Sequence, residues 1–324
     1  MNVSFHFVER PLRGAALLPF VALLGFASVL CGLPDRAFAQ SEAPGGVAPA
    51  PSGEFRPRAD TYDTPRGVGL GIGNRAGATG TSAVAYNAAN LPVLPVYRVE
   101  SVFGYVPQQR AFMVGGAVAD SVTNKLSAGT AFRGVFGGGD RDYSGWDGRV
   151  ALGMPLAQQI SLGLSGRYLN LHADDRTEDG QPIGERVKGF TMDASVTVTP
   201  LEGFHISALA YNLINLRSSL APQQVGGGLS YQYKSVFQVG LDTLVDLSTF
   251  GHASVIIGGG AEYIVARLVP LRLGFQEDTG RHMASLTAGV GYQHQKFGVD
   301  LSIRQDFGDH SESYLLLGLQ YHVQ

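Results

Sequence analysis

The sequence has little of what would place it in several common classes. Its single cysteine, Cys31, rules out a disulfide or zinc scaffold. Charged residues are 16% of the chain, against roughly 25% in a soluble domain. With 24 Lys and Arg against 27 Asp and Glu, there is no basic excess to draw in nucleic acid. After Gln40 there is no run of about eighteen apolar residues, so that part of the chain cannot be a bundle of membrane-spanning helices. The glycines show no three-residue period, which excludes collagen. A hydrophobic share of 44% argues against disorder along the whole chain. What is abundant is glycine, 44 residues or about twice the ordinary share, together with 13 Tyr and 17 Phe beside one Trp. That composition suits a β protein in an unusual solvent.

The N-terminus reads as an export signal. Arg10 and Arg13 precede an uncharged run over 14–33, and Ala37-Phe38-Ala39 supplies the small-x-small cleavage pattern. Pro19 and Gly25 interrupt the run and Pro34 ends it, which disfavours a helical anchor. Bulky Val29-Leu30 before Cys31 disfavours a lipoprotein. Residues 1–39 are therefore read as a signal peptide. Residues 40–66, rich in Pro, Ala and Gly, are read as a periplasmic tether unable to build a core.

Beyond residue 93 the periodicity becomes two. Phe297, Val299, Leu301 and Ile303 alternate with Gly298, Asp300, Ser302 and Arg304. Phe190, Met192, Ala194 and Val196 alternate with Thr191, Asp193, Ser195 and Thr197. This is a strand signal, and segments of about 9–11 residues match a tilted bilayer crossing. Fourteen such segments are expected, near 95–106, 110–120, 125–136, 144–155, 158–172, 186–199, 203–213, 223–234, 236–247, 253–265, 267–276, 283–293, 296–307 and 312–323. The fold class is thus all-β, a transmembrane antiparallel barrel with an even number of strands over 94–324. Connections after odd segments are mostly longer than those after even ones, with 173–185 the longest at thirteen residues. With long loops outside, both termini are periplasmic and the barrel sits in the bacterial outer membrane among its lipids.

One face of the segments is Leu, Val, Ile, Phe and Tyr. The other carries Gly, Ser, Thr and twelve charges: Arg133, Asp147, Arg149, Arg167, Asp193, Asp242, Asp246, Glu262, Arg272, Asp300, Arg304 and Asp306. An Arg or Lys at mid-depth on the lipid face costs roughly 2–4 kcal/mol, so these charges belong in the lumen. Seven acids and five arginines either pair across the lumen or set a selectivity path. Tyr105, Tyr168, Tyr211, Tyr233 and Tyr321, near segment ends, suit an interfacial girdle. Gly318, Tyr321 and Val323 have the spacing of a C-terminal signal for the barrel-assembly machinery.

Before the first segment, a small-residue run over 77–85 leads into Tyr86-Asn87-Ala88-Ala89-Asn90-Leu91. This resembles the hatch of FadL-type long-chain fatty-acid transporters and their PorV-like relatives, where a Tyr-Asn-Pro-Ala-x-Leu motif precedes the barrel. Ala88 stands where the family has Pro. Pro200-Leu201-Glu202-Gly203-Phe204 with Tyr211-Asn212-Leu213 also looks like a recurrent strand pair of these proteins. The resemblance implies a fourteen-stranded barrel with a hatch over 67–93. It implies a passive channel for hydrophobic small molecules such as long-chain fatty acids. The alternative is a docking barrel of a secretion machine, with a periplasmic or secreted protein partner. Val84, Leu94 and Leu316 are expected to line an apolar path, because Leu316 has luminal parity between Tyr314 and Gly318.

No other motif competes. Gly69-Leu70-Gly71-Ile72-Gly73 lacks the strand–helix surroundings of a dinucleotide loop. The acidic stretch 174–180 lacks EF-hand spacing and no histidines pair as H-x-x-H, so neither metal nor cofactor is expected. His205 and Ser207 share a face, but no G-x-S-x-G occurs, and an enzyme is not expected.

Overall fold

The computed structural model describes residues 63–137, 142–176, 182–308 and 311–323. The expected signal peptide, and the tether up to residue 62, lie outside the described residues. Fourteen antiparallel strands form one closed barrel in sequence order, with β1 pairing β14. They are β1 (Tyr97–Val106), β2 (Ala111–Asp120), β3 (Ser127–Phe136), β4 (Asp142–Ala157), β5 (Ile160–Arg176), β6 (Pro182–Leu201) and β7 (Phe204–Tyr211). The second half is β8 (Gln224–Tyr233), β9 (Phe237–Asp246), β10 (Ser254–Val265), β11 (Val269–Asp278), β12 (Met283–Gln293), β13 (Phe297–Gly308) and β14 (Ser313–Val323). These are the fourteen segments expected from the alternation, in the same order. Closure pairs both strand edges, the condition for a sheet to stand in lipid. The β2–β3 and β3–β4 ladders run without a register shift. Bulges occur between Pro155 and Ala157 and between Val198 and Leu201.

The faces are inverted relative to a soluble protein. Leu241, Leu273, Leu286 and Leu301 are exposed on the outer wall, while Asp300, Arg272 and Thr191 are buried inside. Phe132, Trp146 and Tyr168 stack across β3, β4 and β5 on the outer face, with centroids 6.0 and 5.5 Å apart. Tyr105, Tyr168, Tyr233 and Tyr321 are exposed as a girdle requires. Tyr211 is not. It shares the inward parity of His205, Ser207 and Leu209 and is buried in the lumen.

Among the described residues no helix is long and apolar enough to cross a membrane. Two short helices, α1 (Pro65–Gly69) and α2 (Thr81–Tyr86), precede the barrel, followed by a 3₁₀ turn over Ala88–Val93. Thr64 caps α1, its hydroxyl accepting from the Gly67 amide at 3.1 Å, and Pro65 occupies the first helical position. Asp63, Thr64 and Pro65, assigned to the tether by composition, are therefore buried parts of the luminal segment, because the cap and the proline start its first helix. Asn87 caps the 3₁₀ turn by accepting from the Ala89 amide at 3.2 Å. This leaves Ala88 at the first helical position, where proline is also at ease.

The thirteen-residue loop expected over 173–185 is mostly strand. Residues Ala173 to Arg176 pair with Glu185 to Pro182, and the tip 177–181 lies outside the described residues. Pairing persists because the inner faces of β5 and β6 have apolar company. Leu169, Leu171, Ala173 and Val187 pack with Leu220 and Ala221 of the β7–β8 loop. That loop, over 212–223, is the longest described connection between strands. It folds inward, and Glu185 accepts from the hydroxyls of Ser218 (2.7 Å) and Ser219 and from the Ser219 amide.

Candidate functional site

The segment from Asp63 to Val93 runs inside the barrel and supplies backbone polar groups that the inner wall must satisfy. The wall answers with short side chains. Ser302 donates to the Pro65 carbonyl at 2.6 Å, and Thr287 takes the Gly71 amide at 3.1 Å while donating to the Gly69 carbonyl at 3.2 Å. Gln238 donates to the Gly77 carbonyl at 3.1 Å. Two luminal glycines admit the segment's backbone. A Cβ at Gly163 would lie 2.1 Å from the Ala89 nitrogen, and one at Gly274 would lie 2.5 Å from the Gly71 nitrogen.

All six residues of the Tyr86–Leu91 motif are buried. The Asn87 amide nitrogen lies 3.0 Å from the Arg75 carbonyl, 3.1 Å from the Thr197 hydroxyl and 3.0 Å from the Ser207 hydroxyl. Asn90 donates to the Ala76 carbonyl at 2.8 Å. The Tyr86 hydroxyl donates to Asp63 at 3.0 Å and accepts from the Thr64 amide at 3.2 Å. Burial first, and then the Asp63 carboxylate, pushes this phenol well above its ordinary value. His205 and Ser207 do not meet: His205 contacts Thr199 at 3.0 Å, and Ser207 contacts Thr197 and Asn87.

All twelve charges assigned to the lumen are buried. Nine stand in ion pairs. Arg272 lies 2.6 Å from both Glu262 and Asp300, and Arg133 forks onto Asp147. Arg149 reaches Asp193 at 3.3 Å and also donates to the Val84 and Ala85 carbonyls, placing positive charge at the C-terminal end of α2. Arg304 meets Asp306 at 3.1 Å. Asp246 instead closes the β9–β10 turn by accepting the Ser248 and Thr249 amides, each at 3.0 Å. Asp242 accepts the Arg75 amide at 2.7 Å, and Arg167 donates to the Asn212 side-chain oxygen at 3.2 Å.

Sequence reasoning missed Arg66, which joins Glu262 at 3.1 Å, and Glu100, which accepts from Gln320 at 3.1 Å. Glu100 was within reach, because it has the inward parity of Val102 on β1. Arg66 was hidden by the low-complexity run before it.

The inner wall is divided. β10, β11, β13 and β14 hold the Glu262–Arg272–Asp300–Gln320 network. Val102, Met113, Val135, Tyr314 and Leu316, on β1, β2, β3 and β14, instead form an apolar cluster with Val84 and Leu91. Val84 and Leu316 are both 0% exposed in it. Leu94 is not part of it. At 40% exposure it sits where the chain leaves the lumen, its carbonyl held by Ser121 of the β2–β3 turn at 2.8 Å.

No family model matches the chain, and neither does any curated protein. Solved structures do. The toluene transporter TbuX of Ralstonia pickettii aligns over 82% of this chain and 99% of its own, with a TM-score of 0.60 at 14% identity. A FadL homologue of Pseudomonas aeruginosa covers 80% and 98%, with a TM-score of 0.56 at 10% identity. The monoaromatic hydrocarbon channel CymD covers 76% and 94%, with a TM-score of 0.54 at 10% identity. At these identities the likeness shows the fold, and the fold of this chain is that of the FadL-type outer-membrane barrels.

Proposed function

We propose that this chain is an outer-membrane channel for hydrophobic small molecules, long-chain fatty acids among them. The observation that carries the reading is the apolar inner wall formed by Val102, Met113, Val135, Tyr314 and Leu316. A water-filled pore has a polar lining, and burying these five side chains inside one serves no purpose for ions. The toluene transporter and the hydrocarbon channel that share the fold support the same reading. In it, the luminal segment plugs the barrel, and Val84 and Leu316 flank the path once the plug yields. Both termini are periplasmic, and the Leu220 cluster faces the exterior. Uptake of a radiolabelled long-chain fatty acid, compared in cells with and without the protein, tests the function. Faster uptake with the protein is expected. Equal uptake overturns the reading and leaves a docking barrel, which would instead retain a periplasmic or secreted protein in pull-downs.

A further inference from the structure

A lipid-facing wall keeps cations off the outward face of its strands, and with one exception this barrel does so. Among the described strand side chains, Arg98, Arg133, Arg149, Arg167, Arg272 and Arg304 all have inward parity. The exception is on β6. Arg186 and Lys188 are exposed with outward parity, on either side of buried Val187. They stand two residues apart on one face, about 7 Å along the strand. Among the described residues neither has a carboxylate at ion-pair distance.

The registers fix their surroundings. Arg186 pairs with His172 and His172 with Ser144, one row across β4, β5 and β6. Lys188 pairs with Asn170 and Asn170 with Trp146, and the next outward-facing row holds Gly148, Tyr168 and Phe190. The two cations therefore border the aromatic girdle, where Trp146 and Tyr168 stack. Farther toward mid-strand, Val150, Leu152, Leu164 and Met192 are exposed on the same face. From these rows to the turns at the far ends of the three strands, the outward face holds no carboxylate. The acids Asp142 and Asp174 pair one row farther out, so the cationic band is two rows deep. β6 pairs with β7 only from Ala194 onward, so the stretch with both cations has a strand neighbour on its β5 side alone.

A cation on a lipid-facing wall is costly at mid-depth and tolerated at the interface. Aromatic girdles sit at headgroup level, which sets Arg186 and Lys188 at that height. Cations there attract anionic headgroups, and a guanidinium fork matches phosphate oxygens. The exposed Asn170 amide beside Lys188 adds a neutral donor. A soluble anion would use the cations and ignore the apolar wall beside them, whereas a phosphorylated lipid uses both.

We propose that Arg186, Lys188 and Asn170, with the Trp146–Tyr168–Phe190 girdle, form a binding site on the outer wall for a phosphorylated glycolipid of the outer leaflet. Its phosphate meets the cations and its acyl chains lie along Val150, Leu152 and Leu164. The proposal is independent of the channel's cargo and rests on the assigned sidedness.

The test is native mass spectrometry of the full mature protein released from non-ionic detergent, titrated with bisphosphorylated lipid A and with dephosphorylated lipid A. Each such cation contributes about fivefold to the binding of an anionic lipid, so the wild type is expected to hold the phosphorylated form about thirtyfold more tightly. Arg186→Gln and Lys188→Gln should each lose about fivefold of that preference, and the double variant all of it. Arg110→Gln, which removes an exposed cation from the β1–β2 connection at the same end of the barrel, should lose none. Equal affinity of the wild type for the two lipids overturns the site, and so does a preference that survives in the double variant. Saturable binding of inorganic phosphate that the double variant abolishes, without binding of lipid A, overturns the lipid reading and assigns the cations to a soluble phosphate. These affinities are read in detergent, so their failure refutes the site itself, whereas a failure of the sidedness shows in the labelling of Ile214→Cys on intact cells.

Discussion

Asn87→Leu is the sharpest perturbation of the luminal segment, because it removes one side chain and touches no strand ladder. The Asn87 amide has two hydrogens to share among three acceptors, and its oxygen takes the Ala89 amide, so about three hydrogen bonds are lost. Orphaning a buried partner costs about 1–3 kcal/mol each, and that higher scale does not apply here. Thr197 and Ser207 are already bonded to each other at 2.8 Å. The Ala89 amide also reaches the Ser195 hydroxyl at 3.1 Å, and the Arg75 carbonyl keeps Asn90 at 3.3 Å. The loss is therefore about 1 kcal/mol per bond, or about 3 kcal/mol in all. At about 1.4 kcal/mol per tenfold, the fraction of time the segment spends undocked rises about a hundredfold. Single-channel recording in planar bilayers should show openings more frequent by that order. Heat-modifiable gel mobility, which reports the intact barrel, should not change. An Asn87→Leu protein with an intact barrel and wild-type traces would refute the idea that this segment closes the lumen.

Three further outcomes are expected. Gly163→Ala puts a methyl against the backbone at Ala89 and should cost about 1–3 kcal/mol of segment docking, read as added conductance with an unchanged barrel. The Tyr86 phenol has a raised pKa in the folded chain, so the stability it contributes is full below its ordinary value of 10.0 and is lost as pH rises beyond it. Conductance should climb above pH 10 in the wild type, and the part of that climb due to Tyr86 should vanish in Tyr86→Phe. Ile214 is exposed in the β7–β8 loop, and a cysteine placed there should react with an impermeant maleimide on intact cells. Labelling only after the outer membrane is broken would reverse the assigned sidedness.

The barrel was legible in the sequence for a physical reason. Lipid on one side and a polar lumen on the other force every strand to alternate, so Phe297 to Ile303 and Phe190 to Val196 show their faces without any knowledge of their neighbours. The same parity placed Arg133, Asp300 and Leu316 inside. It could not say what each would meet there. Arg272 sits between Glu262 and Asp300, while Arg167, on an equally regular strand, meets the Asn212 amide oxygen and, among the described residues, no carboxylate. That difference depends on strand stagger and on how the β7–β8 loop turns inward, and no local pattern encodes either. Tyr211 resembled a girdle residue in composition and became a luminal partner of Arg75, 136 residues away in the chain. Local periodicity determined which side of the wall each residue occupies. Closure of the barrel around the luminal segment decided which carboxylate, carbonyl or amide each buried cation meets.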